Sequence, residues 1–243
     1  IPATGETTIS YEVRERPRVI AVFNPVADAF IWDEEPTLNY GDLVDLVVGR
    51  VGSFRARSIL RFDVSALRTD LEIISAILRL HARITQEGRV EVRNLLGSWE
   101  ELGVTWLNQP LRSGLPEAEA PMAGVVDLDV TSLFMGWYRR TRANHGVAVL
   151  LVDEEVEARA VYAAREWPGA LMRPELRVTY YEPDALPAVD DFYSVGFVRG
   201  ATAADLASEG VVFGFPDEED LTSRGVVSRG DLPSRGTARQ VND

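Results

Sequence analysis

RSILRFDV, residues 57–64, alternates apolar and polar side chains at the period of a β-strand. Leu60, Phe62 and Val64 fall on one face, and Arg57, Ile59, Arg61 and Asp63 on the other. ISAILRLHARI, residues 74–84, repeats the pattern at greater length. Ile74, Ala76, Leu78, Leu80, Ala82 and Ile84 oppose Ser75, Arg79, His81 and Arg83.

Upstream, residues 7–23 alternate well enough for one or two strands with a break at Pro17. Asp28–Trp32 and Leu43–Val48 read as further strands, separated by turn material from Pro36 to Gly41 and followed by a Gly49–Ser53 turn. Downstream, Gly88 turns the chain into Arg89–Leu95, where Val90 and Val92 oppose Arg89, Glu91 and Arg93. Trp99–Trp106 and Gln109–Pro121 read as a long loop pinned by aromatic side chains. Val125–Val130 is a strand leading into one helix, with Asp129 or Thr131 as its cap and Leu133, Phe134, Trp137 and Tyr138 at helical spacing. Strands near Val147–Val152, Ala158–Ala163 and Leu176–Tyr181 complete the series. Many short strands with a single short helix predict an all-β fold, an antiparallel β-sandwich of the jelly-roll type.

Composition narrows the function classes. The chain has 243 residues, 46% of them hydrophobic, with 13 Pro and 19 Gly, which favours many short elements. A net charge of -13 argues against general nucleic-acid binding, since neutralising phosphates takes a basic surface. All 25 basic residues are Arg, so Schiff-base chemistry, a P-loop lysine and Lys–Asn isopeptide cross-links are excluded. With no Cys there is no disulfide, thiolate metal site or cysteine nucleophile, as suits a secreted protein. No apolar run approaches the roughly 20 residues of a membrane helix. Ile1-Pro2 in place of an initiator Met reads as a processed form or a piece of a longer protein.

Three regions follow: a strand-forming N-terminal extension over 1–23, a sandwich over 24–183, and an acidic tail over 184–243. The tail holds eleven acidic residues against five Arg, two apolar islands (Phe192–Val198 and Val211–Phe215) and a repeat, Ser223-Arg224-Gly225, Ser228-Arg229-Gly230 and Ser234-Arg235-Gly236. Neither island can build a core alone, so the tail is either a linker or a segment ordered by partner contacts. Self-association through the two extensions is the partner expectation.

ADAFI (27–31), NYG (39–41), RSILRFDVSAL (57–67), ISAILRL (74–80), WEELGVTWLNQP (99–110), DVTSLFMGW (129–137), AARE (163–166) and PELRVTY (174–180) occur in this order. Over roughly residues 24–182 they resemble the signature blocks of DNRLRE-type domains, which overlap carbohydrate-binding modules with alginate-binding members and disaggregatase-related repeats. The resemblance implies a β-sandwich of secreted and cell-surface proteins, usually non-catalytic. Asp28, Asn39, Arg57, Leu60, Arg61 and Glu166 match the name-giving positions, with Glu100 a rival for the last and Ala164 where a Ser is expected.

Two sets of polar residues stand out. Asp28, Asn39, Arg57, Arg61, Asp63 and Glu166 are expected to form a structural polar network. Arg79, Arg83, Arg89 and Arg93, together with Arg57 and Arg61 at matching alternation, would form a basic strip if their strands neighbour each other, with forks suited to uronate carboxylates; salt bridging or solvation is the plainer alternative. Trp32 and Trp167 are the candidate sugar platforms, Trp106 and Trp137 reading as core or loop residues. No catalytic residue, cofactor or metal site is expected; calcium is conceivable only at Asp33-Glu34-Glu35 or Asp153-Glu154-Glu155, without EF-hand spacing. The expected function is a non-catalytic extracellular or cell-surface structural or adhesive subunit, with a carbohydrate-binding module for acidic polysaccharide as the alternative.

Overall fold

The computed structural model describes residues 7–12, 17–183, 197–198 and 235–240. Its strands are β1 (Thr7–Glu12), β2 (Arg18–Phe23), β3 (Pro25–Trp32), β4 (Asp45–Val51), β5 (Phe54–Phe62), β6 (Glu72–Thr85) and β7 (Arg89–Asn94). After β8 (Ala118–Pro121) and β9 (Val125–Asp129) comes helix α1 (Thr131–Tyr138), then β10 (Val147–Leu151), β11 (Ala158–Ala163), β12 (Glu175–Tyr181), β13 (Phe197–Val198) and β14 (Arg235–Gln240).

Within residues 17–183 one curled, 11-stranded antiparallel sheet runs β2-β12-β6-β11-β4-β5-β10-β7-β8, with β3 added to β5 and β9 to β6. The fold is the all-β, sandwich-like one that the alternation predicts. β4 makes the turn between the two halves: residues 45–50 pair with β11, while Gly49–Val51 also pair with β5. The two halves then face each other across a main core. β6 contributes Ala76, Leu78 and Leu80, β5 contributes Leu60 and Phe62, and β7 contributes Val90 and Val92, each at alternate positions. Ile74 and Ile84, expected on this face, are 37% and 49% exposed because they lie at the two ends of β6, beyond the packed centre.

β2 pairs with β12 from Leu176↔Phe23 to Tyr181↔Arg18, so this part of the N-terminal 23 residues completes the main sheet instead of extending from it. β8 falls in the stretch read as loop; its sequence AEAP has neither β-branched nor aromatic residues, and pairing with β7 alone holds it extended. Before α1, the Asp129 carboxylate accepts the Thr131 N–H at 3.0 Å, while the Thr131 hydroxyl accepts the Ala76 N–H at 2.9 Å and ties the helix start to β6. Leu133, Phe134 and Trp137 of α1 are buried in the core.

A second unit comprises 1–16 and 184–243. In it β1 lies between β13 and β14, with both pairings antiparallel. The Val211–Phe215 island and the first two Ser-Arg-Gly repeats lie outside the described residues. Among the described residues no helix is long and apolar enough to cross a membrane.

Candidate functional site: the outer face of β5 and β7 and the loop that covers it

The second face of β5 is not left to solvent. Ile59 joins Ala27, Ala29, Ile31, Ala148 and Leu150 in a smaller apolar cluster, closed from outside by Leu95, Trp99 and Val104 of the loop after β7. Trp106 packs at the rim of that cluster. The loop is fastened by named bonds: Trp99 Nε1 donates to the His145 carbonyl at 2.9 Å, and Asn39 Nδ2 donates to the carbonyls of Glu101 and Val104 at 2.7 and 2.6 Å. Gly41 lies so close to the Glu101 carbonyl that a Cβ there would collide with backbone.

The arginines of β5 are anchored beneath this loop. Arg57, only 7% exposed, donates Nε and Nη2 to the two carboxylate oxygens of Glu154, each at 2.6 Å, and Nη1 to Gln109 at 2.9 Å. Its guanidinium lies 4.3 Å from the centre of the Trp106 ring. Arg61 donates to the Trp99 carbonyl at 3.1 Å with its guanidinium 5.4 Å from that ring.

Asp28 and Glu166 meet elsewhere, around two residues that the sequence did not single out as partners. Asp28 accepts the Arg165 backbone N–H at 2.9 Å, and its own N–H donates to Glu101 Oε1 at 2.9 Å. The Arg165 guanidinium donates to Glu166 at 2.7 Å and to Glu101 Oε2 at 3.0 Å. The carboxylates of Asp28, Glu101 and Glu166 bring oxygens within 4.8 Å of one another, the grouping among the described residues that could hold a cation; Arg165 supplies positive charge to it. Burial pushes the Asp28 carboxyl up to about 7, opposed by the Arg165 N–H and reinforced by Glu166 and Glu101. Glu101 turns inward, while Glu100, the rival of Glu166 for the last name-giving position, is exposed. Asp63 stands apart from both groups: it is exposed and caps Ser65 at 2.9 Å, a bond that lowers its pKa. The six residues expected as one network are thus distributed over separate contacts, because Arg57 and Arg61 reach under the loop while Asp28 reaches the strand end beside Arg165.

The two calcium candidates are likewise engaged by arginines. Asp33 accepts from Arg55 Nε at 2.9 Å, Glu154 binds Arg57, and Glu155 accepts from Arg50 at 2.6 Å.

Residues 19–180 match the sequence model of carbohydrate-binding module family 96. The chain belongs to that family. No curated protein matches it. The family 96 region starts in β2 and ends in β12, which are paired to each other, so the match covers the whole main sheet.

In this family 96 module Arg79 and Arg83 do not lie beside Arg89 and Arg93, the other arginines of the expected strip on its later strands. β6 pairs with β12, β9 and β11, whereas β7 pairs with β10 and β8. Both strands turn apolar residues into the same core, so Arg79 and Arg83 of β6 face away from Arg93 of β7. Each of the four meets a carboxylate: Arg79 with Asp127 at 2.6 Å, Arg83 with Asp45, Arg89 with Glu119 at 3.5 Å, and Arg93 with Glu91. Arg83 also lies 4.2 Å from the half-buried Trp167 ring, while Trp32 packs edge-on against Phe54 at 6.5 Å.

Proposed function

We propose that this chain is a non-catalytic, extracellular carbohydrate-binding module that takes acidic polysaccharide. The observation that carries the reading is the family 96 match over the whole main sheet. Its acidic preference is supported by the guanidinium–indole pair of Arg83 and Trp167, in which Arg83 is exposed and Trp167 half-buried, so that the pair is open to a ligand. A ring covers the apolar side of a pyranose while a fork takes its carboxylate. On a protein of net charge -13, such recognition has to be local, because the long-range field repels a polyanion.

A glycan array followed by salt titration tests this. Binding to uronate polymers such as alginate, weakening as salt screens the contacts, is expected. Absence of binding to every uronate polymer overturns the acidic preference, and assays for new reducing ends and unsaturated uronates are expected to stay flat. The structural-subunit reading drew on the two extensions. Since β1 pairs with β13 and β14 of its own chain, those strands do not by themselves call for a neighbouring copy.

A further inference from the structure

On the outer side of β5 and β7 a cavity of about 390 Å³ is walled by three guanidiniums, those of Arg57, Arg93 and Arg112. Two are satisfied. Arg57 forks onto Glu154, and Arg93 binds Glu91 and donates to the carbonyls of Ser113 and Gly114 at 3.3 and 2.9 Å. Arg112 differs: no hydrogen bond or ion pair reaches it among the described residues, and its Nε is fully buried without a partner. Burial, with Arg57 and Arg93 adding to it and Glu154 and Glu91 opposing, holds its pKa below the usual arginine range. A donor shut away from water with nothing to donate to is a cost to the fold, while Arg112 as a whole is only half-buried and borders the cavity.

The local charge says what acceptor fits. Three arginines against Glu154 and Glu91 leave one positive charge over. A single monoanion balances it. A guanidinium edge presents two parallel N–H groups, which match the two oxygens of a planar carboxylate. Leu111, 79% exposed, and Pro110 form an apolar rim against which the C–H face of a sugar ring can lie.

We infer that this cavity is the subsite for a sugar carboxylate, with Arg112 as the guanidinium that receives it; the inference rests on the acidic-polysaccharide reading above. Because the Arg112 side chain makes no hydrogen bond or ion pair among the described residues, Arg112→Gln breaks none of these and relieves a buried unpaired donor, and its thermal midpoint is expected at or above that of the parent.

The test uses the full chain and two readouts. In ¹⁵N spectra the Arg112 Nε–H resonance, assigned by its loss in Arg112→Gln, is expected to shift on adding sodium galacturonate and to stay in place with galacturonic acid methyl ester. In calorimetry with oligogalacturonate and oligomannuronate, Arg112→Gln is expected to lose about tenfold or more in affinity, the loss of a charged hydrogen-bond pair, and Arg68→Gln to match the parent. Uronate binding unchanged in Arg112→Gln overturns the subsite and leaves the module reading standing. A parent that binds no uronate oligomer, yet whose Nε–H shifts with galacturonate alone, supports the subsite and removes the polymer reading. Absence of both signals removes both.

Discussion

Asp28 is buried to 1% exposure, and its carboxyl titrates near pH 7 in the folded protein against 3.8 as the ordinary value. Between these two values the unfolded chain has released a proton that the folded chain keeps. Stability is therefore full below 3.8 and falls as pH rises through about 7, by on the order of 4 kcal/mol if no other group compensates. Asp28→Asn keeps an oxygen for the Arg165 N–H and removes the titration. Urea unfolding across that range should show a flatter pH slope for the variant, and the variant should be the more stable of the two above pH 7. Parallel slopes for both proteins would mean that Asp28 ionises normally. Asp28 and Glu166 were legible in the sequence through the family blocks. Their partner Glu101 was not, because the neighbouring Glu100 and Glu101 are indistinguishable by pattern. The turn decides between them: the Glu100 carbonyl accepts the N–H groups of Gly103 and Val104, leaving Glu101 to face Asp28.

The element that shapes the candidate surface is the loop between β7 and β8. It covers the apolar positions on the outer side of β3, β5 and β10 and carries Trp99, Glu101, Trp106, Gln109 and Arg112 to that face. Gly41 lets the loop sit this close, since any side chain there would meet the Glu101 backbone. Gly41→Ala is expected to cost about 1–3 kcal/mol, the range for overpacking a close-packed contact. It should also raise hydrogen-exchange rates at Gly103 and Val104, whose amides bond within the loop. Unchanged stability and exchange would show that the loop shifts freely. The loop's aromatic pinning was readable from Trp99 and Trp106, but the face it covers was not. β8 was missed for the related reason that its extended form comes from β7 and not from its own residues.

At the scale of the molecule, both apolar clusters are built from residues between Phe23 and Tyr180. A fragment of residues 17–183 should therefore unfold in one cooperative transition, with a midpoint within about 3 °C of the full chain, equivalent to less than about 1 kcal/mol. A much larger drop would assign the terminal strands a share in stabilising the sheet. The sequence by itself determined the strands, their inward faces and the exclusions that follow from lacking Lys and Cys, because alternation is a local property of an extended backbone and composition needs no structure. Only the tertiary structure decided which outward arginine meets which carboxylate. Arg57 finds Glu154 across 97 residues because β10 pairs beside β5 and delivers the following turn to it. The same long-range pairing sends β6 and β7 to opposite sides of the core, dividing the arginines that looked adjacent and leaving the buried Arg112 Nε without a hydrogen-bond partner.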